Sequence, residues 1–191
     1  PWDGAHPLGP DEAPWQTIAP SALPVREGWH TPKAMDEADI ARVKADFASA
    51  TRRALEAGFE VVEIHGAHGY LLHSFFSPLT NRRDDGYGGG LEGRMRLPLE
   101  VAGIIREIWP EHLPVWYRAS VQDGVEGGLT VADTIDLARR LNAIGIDLID
   151  CSSGGVSGSV SLATVHPGPG FQVPLAAAVR EGAGIATMAV G

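Results

Sequence analysis

From residue 36 onward the chain alternates two apolar patterns, and this alternation restricts its fold more than any other feature. Ile40, Val43, Phe47, Ala50 and Ala54 recur at three and four residues, the period of an amphipathic helix. Asp36 is placed to cap its start, and Gly58 to let the chain leave it. Phe59–His65 follows as a short, β-branched strand, then a long loop rich in Gly and Asp. Helical spacing returns over Leu91–Trp109 through Met95, Leu99, Ala102 and Ile105. Val115–Ser120 reads as a second strand. Thr130 caps a third helix bearing Val131, Ile135, Ala138, Leu141 and Ile144, which Gly145 closes. Ile146–Ser152 is a third strand, Pro174–Glu181 a short helix and Ile185–Val190 a fourth strand. Strands that alternate with helices imply parallel pairing, because each crossover returns the next strand in the same direction. Chemistry then belongs just past the C-terminal strand ends, which carry His65, Arg118–Ser120, Cys151–Gly155 and Val190–Gly191.

Residues 1–35 are different. They hold seven of the 14 prolines, interleaved with Trp2, Trp15 and Trp29. Proline this dense prevents regular helix and interrupts strand pairing, while the indoles point to a packed loop segment rather than a free tail. The apolar share of 44% excludes a wholly disordered chain, and no apolar run approaches the ~20 residues of a membrane span. A net charge of -9 argues against a general nucleic-acid surface. The single cysteine, Cys151, allows no intramolecular disulfide and suits a reducing, cytoplasmic setting. Pro1 in place of Met, inside a loop-like stretch, suggests a piece of something longer.

The richest stretch begins where the first strand ends, at His65-Gly66-Ala67-His68-Gly69-Tyr70. Two imidazoles three residues apart at a strand-to-loop junction can each give an N–H to one carbonyl oxygen. Tyr70 adds a phenol able to release a proton. The competing readings are histidines that merely satisfy loop backbone, and a metal site. His-x-x-His can chelate, and His73 could join, but no carboxylate or thiol stands at an obvious third position, so no metal is expected. Arg118 shares a strand face with Ser120, and a guanidinium there must meet a structural carboxylate or an anionic ligand. The loop Asn81–Gly90 mixes charge with glycine; its closeness to the histidines favours a folded active-site wall over a solvated linker. Cys151 reads as a buried structural thiol.

His65-Gly-Ala-His68-Gly-Tyr70-Leu-Leu-His-Ser-Phe-Phe-Ser-Pro78-Leu-Thr-Asn81-Arg82-Arg83-x-Asp85-x-Tyr87-Gly88-Gly89 closely resembles the old yellow enzyme family of flavin-dependent ene-reductases. The likeness extends to Ile18–Ala22, Tyr117–Ser120, Asp147–Gly154, Pro167–Val173 and Ala186–Gly191. With a second histidine, the His-x-x-His form resembles the bacterial branch of NADPH dehydrogenases and xenobiotic reductases. The resemblance implies an α/β fold, the (β/α)8 TIM barrel, of which this chain holds about four central βα units after a Pro-rich loop segment (1–35). It also implies FMN at the C-terminal mouth and NADPH or NADH as reductant. By the same resemblance His65 and His68, with Gly66 and Ala67 between them, bind the carbonyl or nitro oxygen of a small enone or nitro substrate. Tyr70 would donate the proton, Arg118 would lie beside the flavin's pyrimidine edge, and Val190 and Gly191 would begin the phosphate site. A homo-oligomer is implied for the full-length protein. Gly90 and Gly93 depart from the family's usual Ser and Asn, which weakens a helix cap. Related enzymes that act on amines or dienoyl thioesters often carry an iron–sulfur cluster; one cysteine disfavours a cluster within this segment. A flavin-free half-barrel is the third alternative.

Overall fold

In the computed structural model, residues 6–156 and 168–190 are described. The proline-rich segment holds a 3-10 turn, Pro10–Glu12, and two very short strands, β1 (Ile18–Ala19) and β2 (Lys33–Ala34), paired in parallel. The rest is a repeated strand–helix unit. Helix α1 (Glu37–Glu56) starts at Asp36, whose carboxylate accepts the Asp39 N–H while Asp39 returns the bond to the Asp36 N–H. Strand β3 (Val62–Gly66), helix α2 (Leu71–Phe76) and helix α3 (Leu91–Ile108) follow. Then come β4 (Val115–Ser120), α4 (Val131–Ile144), β5 (Leu148–Ser152), α5 (Val173–Ala183) and β6 (Ala186–Ala189). The main sheet is wholly parallel, in the order β3-β4-β5-β6.

Register gives the sheet two unlike faces. Ile64, Tyr117 and Ile149 lie side by side and are buried under the helices. Each such aliphatic side chain contributes about 1.5–3 kcal/mol by leaving water. The other face carries His65, Arg118, Asp150 and Met188 on one rung. Met95, Val101 and Ile105 of α3 and Leu137 and Leu141 of α4 complete one continuous core.

Three departures from the sequence reading have local causes. The first strand begins at Val62 rather than Phe59, because Gly58 takes a left-handed φ of 82° and the chain turns outward, leaving Phe59 61% exposed. The supposed long loop contains α2, whose apolar residues Leu72, Phe75 and Phe76 are all buried. The third strand starts at Leu148 because Asp147 ends the turn instead, its carboxylate accepting the Val115 N–H at 2.8 Å. Among the described residues no helix is long and apolar enough to cross a membrane.

Candidate active site

The site grows from the C-terminal edge of the sheet. His65 is the last but one residue of β3 and projects from the face that also bears Arg118 and Asp150. Gly66 follows it on the opposite face, where a Cβ would lie 2.2 Å from the Tyr117 ring, so only glycine fits. Past the strand the chain reverses through two consecutive left-handed residues, His68 (φ 60°) and Gly69 (φ 78°). A non-glycine residue held in that region is uncommon and needs support. Ser120 supplies some: its hydroxyl accepts the His68 N–H at 3.0 Å and donates to the Gly154 carbonyl at 2.7 Å. Gly69 is held so close to the Gly155 carbonyl that a Cβ would sit 2.0 Å from it.

This reversal brings the imidazoles together. The His65 and His68 ring centres lie 5.3 Å apart, and the Tyr70 ring lies 5.3 Å from His65. Tyr70 is 65% exposed and faces a cleft of about 1370 Å³ that is also lined by Ile18, Pro24, Arg82 and Gly155. Burial, then the Arg118 charge, lowers the proton affinity of both His65 and His68 below the ordinary imidazole value. Both are therefore neutral at pH 7, so each offers an N–H without a full positive charge. The His68 Nε2 lies 2.6 Å from the Ser152 hydroxyl. Ser152, two residues beyond Asp150 on the same strand face, falls within the Cys151–Gly155 strand end, where the sequence assigns it no role of its own. Its partner across the β4–β5 register is Ser120, and that pairing, set by the sheet, brings it to the His68 ring.

Arg118 meets the carboxylate alternative. Its Nε is 3.2 Å from Asp150 Oδ2, a close contact of opposite charges not aligned as a hydrogen bond. Asp150 is almost fully buried, and both its Oδ1 and the Arg118 Nε lack a hydrogen-bond partner among the described residues. A guanidinium held by one carboxylate and still under-satisfied, on the face that bears the histidines, is suited to polar carbonyls and an anionic edge.

Other expected residues fall into place differently. Gly66 and Ala67 are buried, so they can contribute backbone groups alone. The thiol of Cys151 is buried and pushed up to about 12 by desolvation and then by Asp150, which makes it inert. Val190 is exposed just past β6, and Gly191 lies outside the described residues. The loop Asn81–Gly90 is a fastening as much as a wall. Asn81 donates to the carbonyls of Phe75 and Tyr87, and Arg83 donates to those of Pro20 and Met35 while gripping Asp85. It ties the proline-rich segment to the sheet and leaves Thr80 and Arg82 on the cleft. Among the described residues no three His, Cys, Asp or Glu side chains gather as metal ligands.

Residues 10–191 match the NADH:flavin oxidoreductase / NADH oxidase family. The chain belongs to that family. FMN is the flavin of this family, and the under-satisfied Arg118 on the histidine face fits it. A curated relative, the NADPH dehydrogenase of Geobacillus sp. (strain WCH70), is 46% identical over 187 residues, 98% of this chain and 53% of its own. The chain thus spans about half the length of the curated relatives it matches. Among solved structures, morphinone reductase superposes with a TM-score of 0.73 at 27% identity, over 95% of this chain and 50% of that one. A 2-naphthoyl-CoA reductase in complex with 2-naphthoyl-CoA gives 0.81 at 27% identity, over 91% and 27% respectively. The parallel βα units are therefore part of the old yellow enzyme-type barrel expected from the sequence.

Proposed function

We propose that the full-length protein is an FMN-dependent ene-reductase that uses NADPH or NADH to reduce small α,β-unsaturated carbonyl or nitro compounds. The observation that carries this reading is the pair of imidazoles, ring centres 5.3 Å apart, that converges with Tyr70 at the strand end. FMN, when bound, supplies the hydride that reaches the substrate β-carbon. His65 and His68 hold the substrate oxygen and stabilise the negative charge that develops there. Tyr70, on the cleft side of His65, delivers a proton to the α-carbon. The Ser152 hydroxyl, 2.6 Å from His68 Nε2, holds that ring and engages one of its two nitrogens. Arg118, steadied by Asp150, would hold the flavin by its pyrimidine edge and offer its cation there. The buried lone thiol suits a cytoplasmic setting, and a homo-oligomer is part of the same reading.

A related activity on an aromatic or dienoyl thioester is the second reading, supported by the likeness to 2-naphthoyl-CoA reductase. The higher identity to NADPH dehydrogenases favours the first. Phenols test the oxygen-binding pair, because a phenolate oxygen mimics the developing enolate. Titration of the full-length holoenzyme with 4-chlorophenol, followed by flavin absorbance, is expected to weaken about tenfold or more in His65→Ala and in His68→Ala. Unchanged affinity in both variants would remove their role.

A further inference from the structure

His73 lies one turn into α2 and is completely buried, away from the cleft that holds Tyr70. Its two nitrogens are both committed. Nδ1 accepts the Gly69 N–H at 2.9 Å, so the ring proton is on Nε2, which donates to Asp123 Oδ1 at 3.0 Å. Asp123 is itself buried, and its second oxygen accepts from the Ser77 hydroxyl at 2.7 Å and the Leu129 N–H at 2.8 Å. The sequence reading weighed His73 only as a metal ligand lacking a carboxylate partner. The carboxylate exists, 50 residues downstream, and it binds the imidazole instead.

What makes this arrangement functional is the group at its other end. Gly69 is the second of the two left-handed residues that reverse the chain between His68 and Tyr70. The His68 amide is pinned by Ser120 and the Gly69 amide by His73. Without the second bond the turn keeps its strain and loses an acceptor, and Ser120 alone is left to hold His68 in the left-handed region. We propose that His73, oriented by Asp123, is a positioning residue: it fixes the Gly69 amide and thereby the orientation of the His68 imidazole relative to His65. It touches neither substrate nor flavin. This inference rests on the oxygen-binding role assigned to His65 and His68.

Two near-isosteric variants separate positioning from simple packing. In His73→Asn the side-chain oxygen stands where Nδ1 stands and can still accept from Gly69, but the amide is too short for Asp123. In His73→Gln the amide reaches Asp123 in place of Nε2 but offers no acceptor at Gly69. In the full-length holoenzyme, His73→Gln is expected to bind 4-chlorophenol about tenfold more weakly, with a Tm lowered no more than that of His73→Asn. His73→Asn is expected to bind within about threefold of wild type while losing Tm, because Asp123 is left short of a donor. Amide hydrogen exchange over residues 67–72 provides a readout that needs no ligand: faster exchange in Gln, protection kept in Asn. The reverse ranking, or equal exchange and equal affinity in the two variants, overturns the proposal. If the wild type ignores 4-chlorophenol, the enone reading fails, and the exchange ranking still decides the role of His73.

Discussion

His68 owes its usefulness to a backbone conformation that most residues avoid. Its φ of 60° is sustained by the Ser120 hydroxyl on its own amide, and its ring is engaged by Ser152. The sequence displayed the histidines and the tyrosine plainly, since a His-x-x-His-Gly-Tyr run at a strand end is conspicuous. It could not display their supports. Ser120, Ser152, Asp123 and Asp150 reach the site from neighbouring strands or their following loops, at separations only the sheet register sets. Ser152→Ala in the full-length holoenzyme is expected to weaken 4-chlorophenol binding about fivefold, near 1 kcal/mol, by releasing the His68 ring. Equal affinity would show that the hydroxyl does not govern it. The histidines also carry a pH signature. Because folding lowers their proton affinity, the unfolded chain binds more protons just below pH 6.5, so their contribution to stability is full above 6.5 and is lost as pH falls through the folded values. An NMR titration should place both midpoints below 6.5; a midpoint above it for either ring contradicts the assigned environment.

Elements were legible where their ends carry chemistry. Asp36 and Thr130 each close a reciprocal cap, and Gly145 leaves α4 with a φ of 99°, as their spacing implies. Helix α2 was hidden because six residues are too few for an apolar period to register, and because its His73 and Ser74 are buried for polar reasons. Helix α3 exposes a defect the sequence did announce. Gly90 stands at its N-cap with φ -68° and ψ 170°, a conformation any residue adopts, and it makes no side-chain cap. A Cβ there meets nothing within 4 Å. Gly90→Ser is therefore expected to stabilise the full-length protein by about 0.5–1 kcal/mol, from the new cap and a stiffer unfolded chain. The urea midpoint should rise; a fall would mean that the loop before α3 needs glycine for another reason.

At the scale of the molecule, the parallel order β3-β4-β5-β6 brings His65, His68 and Arg118 to one end of the sheet, with the helices packed behind it. That much followed from the strand–helix alternation. The role of the proline-rich segment did not, because nothing local announces that Arg83 will bind the carbonyls of Pro20 and Met35 and bring Ile18 and Pro24 to the cleft beside Tyr70. The cleft is thus built by two distant parts of the chain, and Gly69 and Tyr70 of the turn that follows His68 line it. The enone-reducing activity proposed for this site is tested by anaerobic NADPH oxidation in the FMN-loaded full-length protein, with and without cyclohexenone. The enone should accelerate oxidation and appear as cyclohexanone in proportion to the NADPH consumed. NADPH oxidation that ignores the enone, with no cyclohexanone formed, would contradict it.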